Sequence, residues 1–446
     1  MVRNDQIHHR LQTPVVGVTV THRKHRAIAN RMRAPERYCA EIGTPVSKSR
    51  AERCSGIKAV QRANNLYLIC VLSQLGPEPL LNAAGLRSSL PTGSKVYVRA
   101  LNEPGVHPAG VVHLSDGELT TSLFAKVQKA DYAGVQNLER ELHFLSNVAP
   151  LITAENPMLR SPLPIAYYPE NRLLLMEFVP GNSLKHHLFD VIFNPAPRRN
   201  LPELLQCAGR WLGSLHRLTR KNTTGNPLQW ILQEFENQRT LEAFRLFSLK
   251  DSYTELHAIL EKCLNANPTF RRNLCDIHGE FTPIHVMVAG DAIYIVDFGN
   301  SREGYVYEDV GLFESFYDCL LPWRAAAGSY RINLQTQKQL FLHGYFDESA
   351  TIFSPADSAI MRWVRLISFA RMLNGGQRRY SGWSKWAYSR IALGALRNRF
   401  ARLCRTELST LREMRPTIFE EEAYSEKSPI VPSFAHSGNV ESSASA

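Results

Sequence analysis

Residues 274–299 constrain the fold of this chain more than any other stretch. They read Leu-Cys-Asp-Ile-His-Gly-Glu-Phe-Thr-Pro-Ile-His-Val-Met-Val-Ala-Gly-Asp-Ala-Ile-Tyr-Ile-Val-Asp-Phe-Gly. Two short apolar runs, 286–288 and 293–296, flank Ala289-Gly290-Asp291-Ala292, and Gly-Asp between apolar runs is turn chemistry. The pattern predicts a β-hairpin with a loop at each end. Such a hairpin places Glu280, His285 and Asp297 near one end of a sheet. Two carboxylates and an imidazole then surround one small volume.

The chain before the hairpin predicts strands first and helices later. Residues 95–101 alternate apolar and polar, 102–110 form a loop, and 111–114 and 119–127 continue as strands around the turn Ser115-Asp116-Gly117. Leu138, Leu142, Leu145 and Val148 then recur at helical spacing. Residues 173–181 read as an apolar strand running into a Pro-Gly turn. Helices are predicted over 202–218, 228–247, 253–264, 309–322, 335–346, 356–373 and 383–413. His216 is expected to be a packed helix residue. Strands grouped ahead of helices point to an α+β class.

The motif set resembles the protein-kinase-like superfamily, and within it the aminoglycoside phosphotransferase-like family. The carrying residues are His278-Gly279-Glu280, His285 five residues later, and a hairpin ending in Asp297-Phe298-Gly299; Phe281-Thr282-Pro283 after the His-Gly pair is similar to that branch. The resemblance implies a two-lobed fold: a helical lead-in over 61–91, a small antiparallel-sheet N-lobe over 92–180 and a mainly helical C-lobe over 181–415. It implies ATP-dependent phosphorylation of a small-molecule hydroxyl, with Mg²⁺ as the ion and Mn²⁺ as an alternative.

Residue by residue, the resemblance gives Lys126 to the α- and β-phosphates and Glu141 (Glu139 as fallback) as the partner that holds it. Gly105, in the loop over the phosphates, offers backbone N–H groups. Glu177, Phe178 and Val179 form the hinge whose backbone bonds adenine, with Leu175 and Met176 as apolar contacts. Glu280 is the catalytic carboxylate, Asp297 the metal carboxylate, and His278 the anchor of the loop. Asp309, in the segment 304–311, caps a helix and braces the site.

Two positions depart from the family pattern. Glu280 replaces the catalytic Asp, and its extra methylene moves the carboxylate. His285 replaces a metal-binding Asn, and imidazole suits Mn²⁺ or Zn²⁺ better than Mg²⁺. Either His285 gives up its contact and one Mg²⁺ remains, or the site takes Mn²⁺, or His285 only hydrogen-bonds the loop; the first is favoured. The same departures keep a nucleotide-binding pseudokinase as the alternative function.

Composition narrows the partners. The 446-residue chain is 44% hydrophobic and has no run of 18 apolar residues, so no membrane span is expected. Its eight cysteines contain no Cys-x-x-Cys pair, which favours reduced thiols and a cytoplasmic location. The net charge of +11 is uneven: residues 1–60 hold twelve Lys/Arg against four acids. That segment and residues 416–446 are expected to be disordered. Nucleic acid is held low as a partner, because no aromatics interleave the basic arm; a third reading is a basic-armed adaptor that binds nucleic acid or an anionic membrane through residues 1–60. Nine basic residues and no acid lie between Arg371 and Arg405. Arg378 and Arg379 follow Gly375-Gly376 and are expected on a loop reaching the cleft, with Trp383 and Trp386 nearby. This favours a neutral or anionic acceptor over an aminoglycoside.

Overall fold

The computed structural model describes residues 67–72, 74–75, 95–100, 108–115, 120–128, 138–193, 200–326, 333–351, 353–379, 393–413 and 418–419. The expectations for the arm at 1–60, for Gly105, for Trp383 and Trp386 and for nearly all of the 416–446 tail lie outside these residues.

Five strands build the N-lobe: β1 (Lys95–Ala100), β2 (Ala109–Ser115), β3 (Thr120–Val127), β4 (Pro164–Tyr168) and β5 (Leu173–Glu177). They pair antiparallel in the order β1-β2-β3-β5-β4. Side chains alternate between faces along a strand. Val112, Leu114, Leu123, Ala125, Val127, Leu173 and Leu175 fill one face and pack against Leu68, Val71 and Leu72 of the lead-in helix. Leu174 and Met176 point the other way, into the main core. With Ala125 and Val127 committed to the first face, Lys126 must project from the second. Leu175 therefore does not line the cleft, contrary to the expectation from sequence; it is fully buried on the far side of the sheet.

Helix α1 (Leu138–Asn147) and helix α2 (Ala149–Glu155) follow β3. The C-lobe then holds α3 (Leu184–Phe193), α4 (Leu201–Leu218), α5 (Pro227–Glu236), α6 (Gln238–Leu246), α7 (Lys250–Ala266), α8 (Val306–Ala326), α9 (Leu334–Ser349), α10 (Pro355–Arg379) and α11 (Leu393–Glu413). One core gathers Trp211, Phe281, Phe298, Phe313 and Phe341, and it runs into the N-lobe through Phe144 and Met176. A second core gathers Phe235, Phe244, Trp363 and Phe400. Among the described residues no helix is long and apolar enough to cross a membrane.

Two helix expectations are corrected. The helix expected over 228–247 breaks at Asn237, which leaves the helical region and caps α6 by accepting from the Arg239 N–H at 3.0 Å. Arg378 and Arg379 sit in the last turn of α10, not on a loop. A glycine costs a helix interior only about 1 kcal/mol. The long apolar face of α10, including Ile360, Trp363, Ile367 and Leu373, outweighs Gly375-Gly376.

The hairpin lies between the lobes. Strands β6 (Cys275–Ile277), β7 (Val286–Ala289), β8 (Ala292–Ile295) and β9 (Arg302–Gly304) follow α7. Val286 faces Ile295, Ala289 faces Ala292, and Gly290 opens the two-residue turn at φ +61°. A positive φ at the first turn position is what Gly supplies. The Leu159–Arg160 strand joins β8 in parallel and Asn182–Ser183 joins β7 antiparallel, so chain from both lobes fixes the hairpin.

Candidate active site

Three chain segments, β3, α1 and the stretch after the hairpin, meet at Lys126. Its Nζ lies 2.7 Å from Glu141 Oε2 on α1 and 2.6 Å from Asp297 Oδ1 after the hairpin. Glu141 also accepts from the Phe298 N–H. Burial works to lower the Lys126 ammonium, but Asp297 and Glu141 outweigh it and raise it above its ordinary value. Burial works to raise the Asp297 carboxyl, and Lys126 and His285 overturn this and hold it well below the usual carboxylate range. Glu141 moves up, mainly through burial, with Lys126 pulling against the shift. One ammonium thus serves two carboxylates. Asp297 takes a left-handed backbone, φ +70° and ψ +62°, which Asp tolerates better than most residues and which turns its carboxylate back toward Lys126. Phe298 stacks on Phe144 of α1, ring centres 4.2 Å apart, and so ties Glu141 and Asp297 to one core.

The loop 278–285 is held from behind. Asp309 Oδ2 accepts from the His278 N–H at 2.7 Å and Oδ1 from the Gly279 N–H at 2.9 Å. His216 Nε2 adds a third contact to Asp309 at 3.4 Å, with its Nδ1 against the Tyr345 hydroxyl at 3.1 Å. Burial works against the Asp309 charge, and these donors bring its carboxyl below its ordinary value. Asp309 does not cap α8 as expected: it lies within the first turn with its carboxylate on the loop 278–285, and it is the Glu308 side chain that accepts from the Tyr305 N–H before the helix, at 3.1 Å. Gly279 has φ +81°, and a Cβ there would stand 2.3 Å from the Asn300 carbonyl oxygen, so the loop passes too close for any other residue.

His278 is fully buried and its two nitrogens have fixed roles. Nε2 donates to the Val296 carbonyl at 3.0 Å, and Nδ1 accepts from the Glu280 N–H at 3.3 Å. Burial pushes its pKa down to about 4. The unfolded chain therefore binds more protons between about pH 4 and 6.5. His278 stabilises the fold fully above pH 6.5 and loses that contribution as pH falls to 4, up to about 3 kcal/mol. Glu308, pushed up to about 7 by burial despite its ion pair with Arg302, works in the opposite direction over an overlapping window. A single stability curve therefore partly cancels. The difference in unfolding free energy between the wild type and His278→Gln should shrink by up to about 3 kcal/mol from pH 6.5 to 4. A difference independent of pH would contradict the assignment.

Glu280 and His285 face the same volume as Asp297. One ligand atom of each lies within 4.8 Å of the others. The Glu280 carboxylate has no hydrogen-bond partner among the described residues. His285 Nδ1 lies 2.7 Å from the Glu280 carbonyl, and its Nε2 lies 3.6 Å from Asp297 Oδ2. Two carboxylates and an imidazole are a donor set that suits a divalent ion, so these residues fit a metal.

The hinge residues are only partly free. Glu177 gives its N–H to the Leu163 carbonyl at 2.8 Å, so that amide is not available to a ligand. Val179 packs on Ala292 and Tyr294 of the hairpin, Phe178 is half-buried, and Met176 is buried in the main core. Of the basic run, Arg371 is paired with Glu234, and Arg399 is paired with Asp318 at 2.8 Å. Arg397, Arg402 and Arg405 are exposed on α11. Sequence reasoning overlooked Phe144, Tyr345 and Glu308; only the Glu308 spacing, three residues after Tyr305, carried a local signal.

A family model described as the phosphotransferase enzyme family matches residues 107–333. The chain belongs to this family. The match spans β2 through the hairpin and all of α8, so Lys126, Glu141, Glu280, His285, Asp297 and Asp309 all lie inside it. No curated protein matches the chain. Among solved structures, an ethanolamine kinase from Plasmodium vivax is 13% identical, covers 82% of this chain and 98% of its own, and has a TM-score of 0.44. The amicoumacin kinase hAmiN, in complex with AMP-PNP, Ca²⁺ and Ami, is 12% identical over 73% of this chain and 93% of its own, with a TM-score of 0.44. A choline/ethanolamine kinase family protein from Mesorhizobium loti is 14% identical over 76% of this chain and 100% of its own, with a TM-score of 0.41.

Proposed function

We propose that this phosphotransferase moves the γ-phosphoryl group of ATP to a hydroxyl of a small molecule. The observation that carries the reading is Lys126 bonded at once to Glu141 and Asp297, with the Glu280 carboxylate facing the same cleft. Phosphoryl transfer needs positioning and charge neutralisation more than covalent participation. In this reading Lys126 binds the α- and β-phosphates, Glu141 holds Lys126 in place, and the segment at Phe178 and Val179 lies against the base. Glu280 orients the acceptor hydroxyl and takes its proton as the acceptor oxygen bonds phosphorus and ADP leaves. Asp297 and His285 would hold a divalent ion, which neutralises phosphate charge when bound.

The acceptor is proposed to be neutral or anionic. The support is the acid-free basic run from 371 to 405. With Arg371 and Arg399 paired internally, Arg378 and Arg379 are the pair to test, and replacing both with Ala should raise the acceptor KM while sparing ATP affinity. The decisive assay follows ADP formation from ATP over a panel of sugars, polyols, sugar phosphates and kanamycin. Acceptor-dependent ADP with the neutral or anionic compounds, absent in Asp297→Asn, is the expected result. Efficient use of kanamycin would overturn the acceptor assignment. Tight ATP binding without transfer to any acceptor would favour the nucleotide-binding pseudokinase, to which Glu280 and His285 already point.

A further inference from the structure

We infer that His285 turns the metal preference of this site from Mg²⁺ toward a first-row transition-metal ion, with Mn²⁺ as the probe of choice. The inference rests on the phosphotransferase reading for what the ion does, but not for whether it binds.

The tautomer is the first argument. His285 Nδ1 lies 2.7 Å from the Glu280 carbonyl oxygen, which can only accept. Nδ1 must therefore carry the proton, and the lone pair of the neutral ring sits on Nε2. A histidine that ligates a metal commonly gives its other N–H to a backbone carbonyl in this way.

The second argument is the division of Asp297. Its Oδ1 is engaged by Lys126 at 2.6 Å, while Oδ2 lies 3.6 Å from His285 Nε2. That separation is too long for a hydrogen bond. Two donors that share one ion about 2.1 Å from each stand about 3.0–3.4 Å apart, so a closure of a few tenths of an ångström would let both reach one ion. The Glu280 carboxylate lies within 4.8 Å of both and stays unligated in this reading, free to take the acceptor proton.

The third argument is rigidity. The His285 N–H donates to the Thr282 carbonyl at 2.9 Å, and the His285 carbonyl accepts from the Val296 N–H at 3.0 Å. The ring lies nearly parallel to that of His278, centres 5.7 Å apart. The imidazole is therefore pre-positioned. Mg²⁺ prefers an all-oxygen shell, whereas imidazole with carboxylates suits Mn²⁺ and Zn²⁺.

The competing arrangement is a protonated His285 paired with Asp297 and no metal contact. Titration of Mn²⁺ into the full chain, followed by loss of the free-ion electron paramagnetic resonance signal and by Mg²⁺ competition, separates the two. Wild type should bind Mn²⁺ at least about tenfold more tightly than Mg²⁺, and His285→Asn should bring that ratio toward one. Pulsed resonance on the bound Mn²⁺ should show an imidazole nitrogen coupling in the wild type, and that measurement needs no variant to fold. No nitrogen coupling, or equal Mn²⁺ and Mg²⁺ affinity, overturns the inference. The same titration with AMP-PNP keeps the two readings apart. Nitrogen-coupled Mn²⁺ without nucleotide binding supports the metal inference while the kinase reading fails. Nucleotide bound equally well with Mg²⁺, with no nitrogen coupling, does the reverse.

Discussion

Lys126→Met is expected to lower turnover by at least about 100-fold and to cost about 3–5 kcal/mol of stability. Both effects follow from one geometry. The Lys126 side chain is 8% exposed and touches a Glu141 side chain that is 1% exposed. Removing the ammonium leaves two carboxylates, Glu141 and Asp297, without the cation between them. Burial already drives Glu141 up, so in the variant it should take a proton and become neutral. The double variant Lys126→Met, Glu141→Gln removes the carboxyl that would otherwise have to take up that proton, and with it the cost of protonating it. It should recover much of the lost stability and none of the turnover. Chemical denaturation measures the first quantity and an ADP-release assay the second. If the double variant is no more stable than the single one, the energy of this site does not lie in the ion pair.

The fold was legible wherever a polar residue marked a face or a turn. In β3, Ser122 and Lys126 interrupt apolar neighbours and set the alternation, and in the hairpin Gly290-Asp291 fixes the register. Where no polar residue marked a face, the reading failed. The run Leu173-Leu174-Leu175-Met176 is apolar throughout, so sequence could not show that Leu175 turns away from the cleft. Gly375-Gly376 carries a local signal for a loop, but the helix is held by packing from Ile360 to Leu373, which acts across the second core. The carboxylates of the site were visible through spacing. Their supports were not: Phe144 stacks on Phe298 from 154 positions away, and His216 reaches Asp309 across 93, so neither contact leaves a local pattern. His285 shows the limit most clearly. Sequence left three options open for it, and only the structure shows that the ring holds the loop through Nδ1 while Nε2 stands toward Asp297 Oδ2.

Glu280→Gln should reduce turnover by about 10²–10⁴-fold and leave ATP affinity nearly unchanged. Gln keeps the length and shape of Glu but cannot take a proton. The Glu280 N–H and carbonyl are bonded to His278 and His285 through the backbone, so the loop should keep its course in the variant. Its carboxylate has no partner among the described residues, so the substitution strands no buried donor. Glu280→Asp tests reach instead of basicity. It retracts the carboxylate by one methylene, and a displacement on the order of 1 Å can cost about 100-fold. If Glu280 is the base, Asp should lie between Glu and Gln in turnover, with acceptor KM rising less than turnover falls. Turnover in Glu280→Gln equal to wild type would remove Glu280 from the chemistry and leave the cleft, among the described residues, with no other carboxylate to take the acceptor proton, since Asp297 is bound to Lys126 and held ionised.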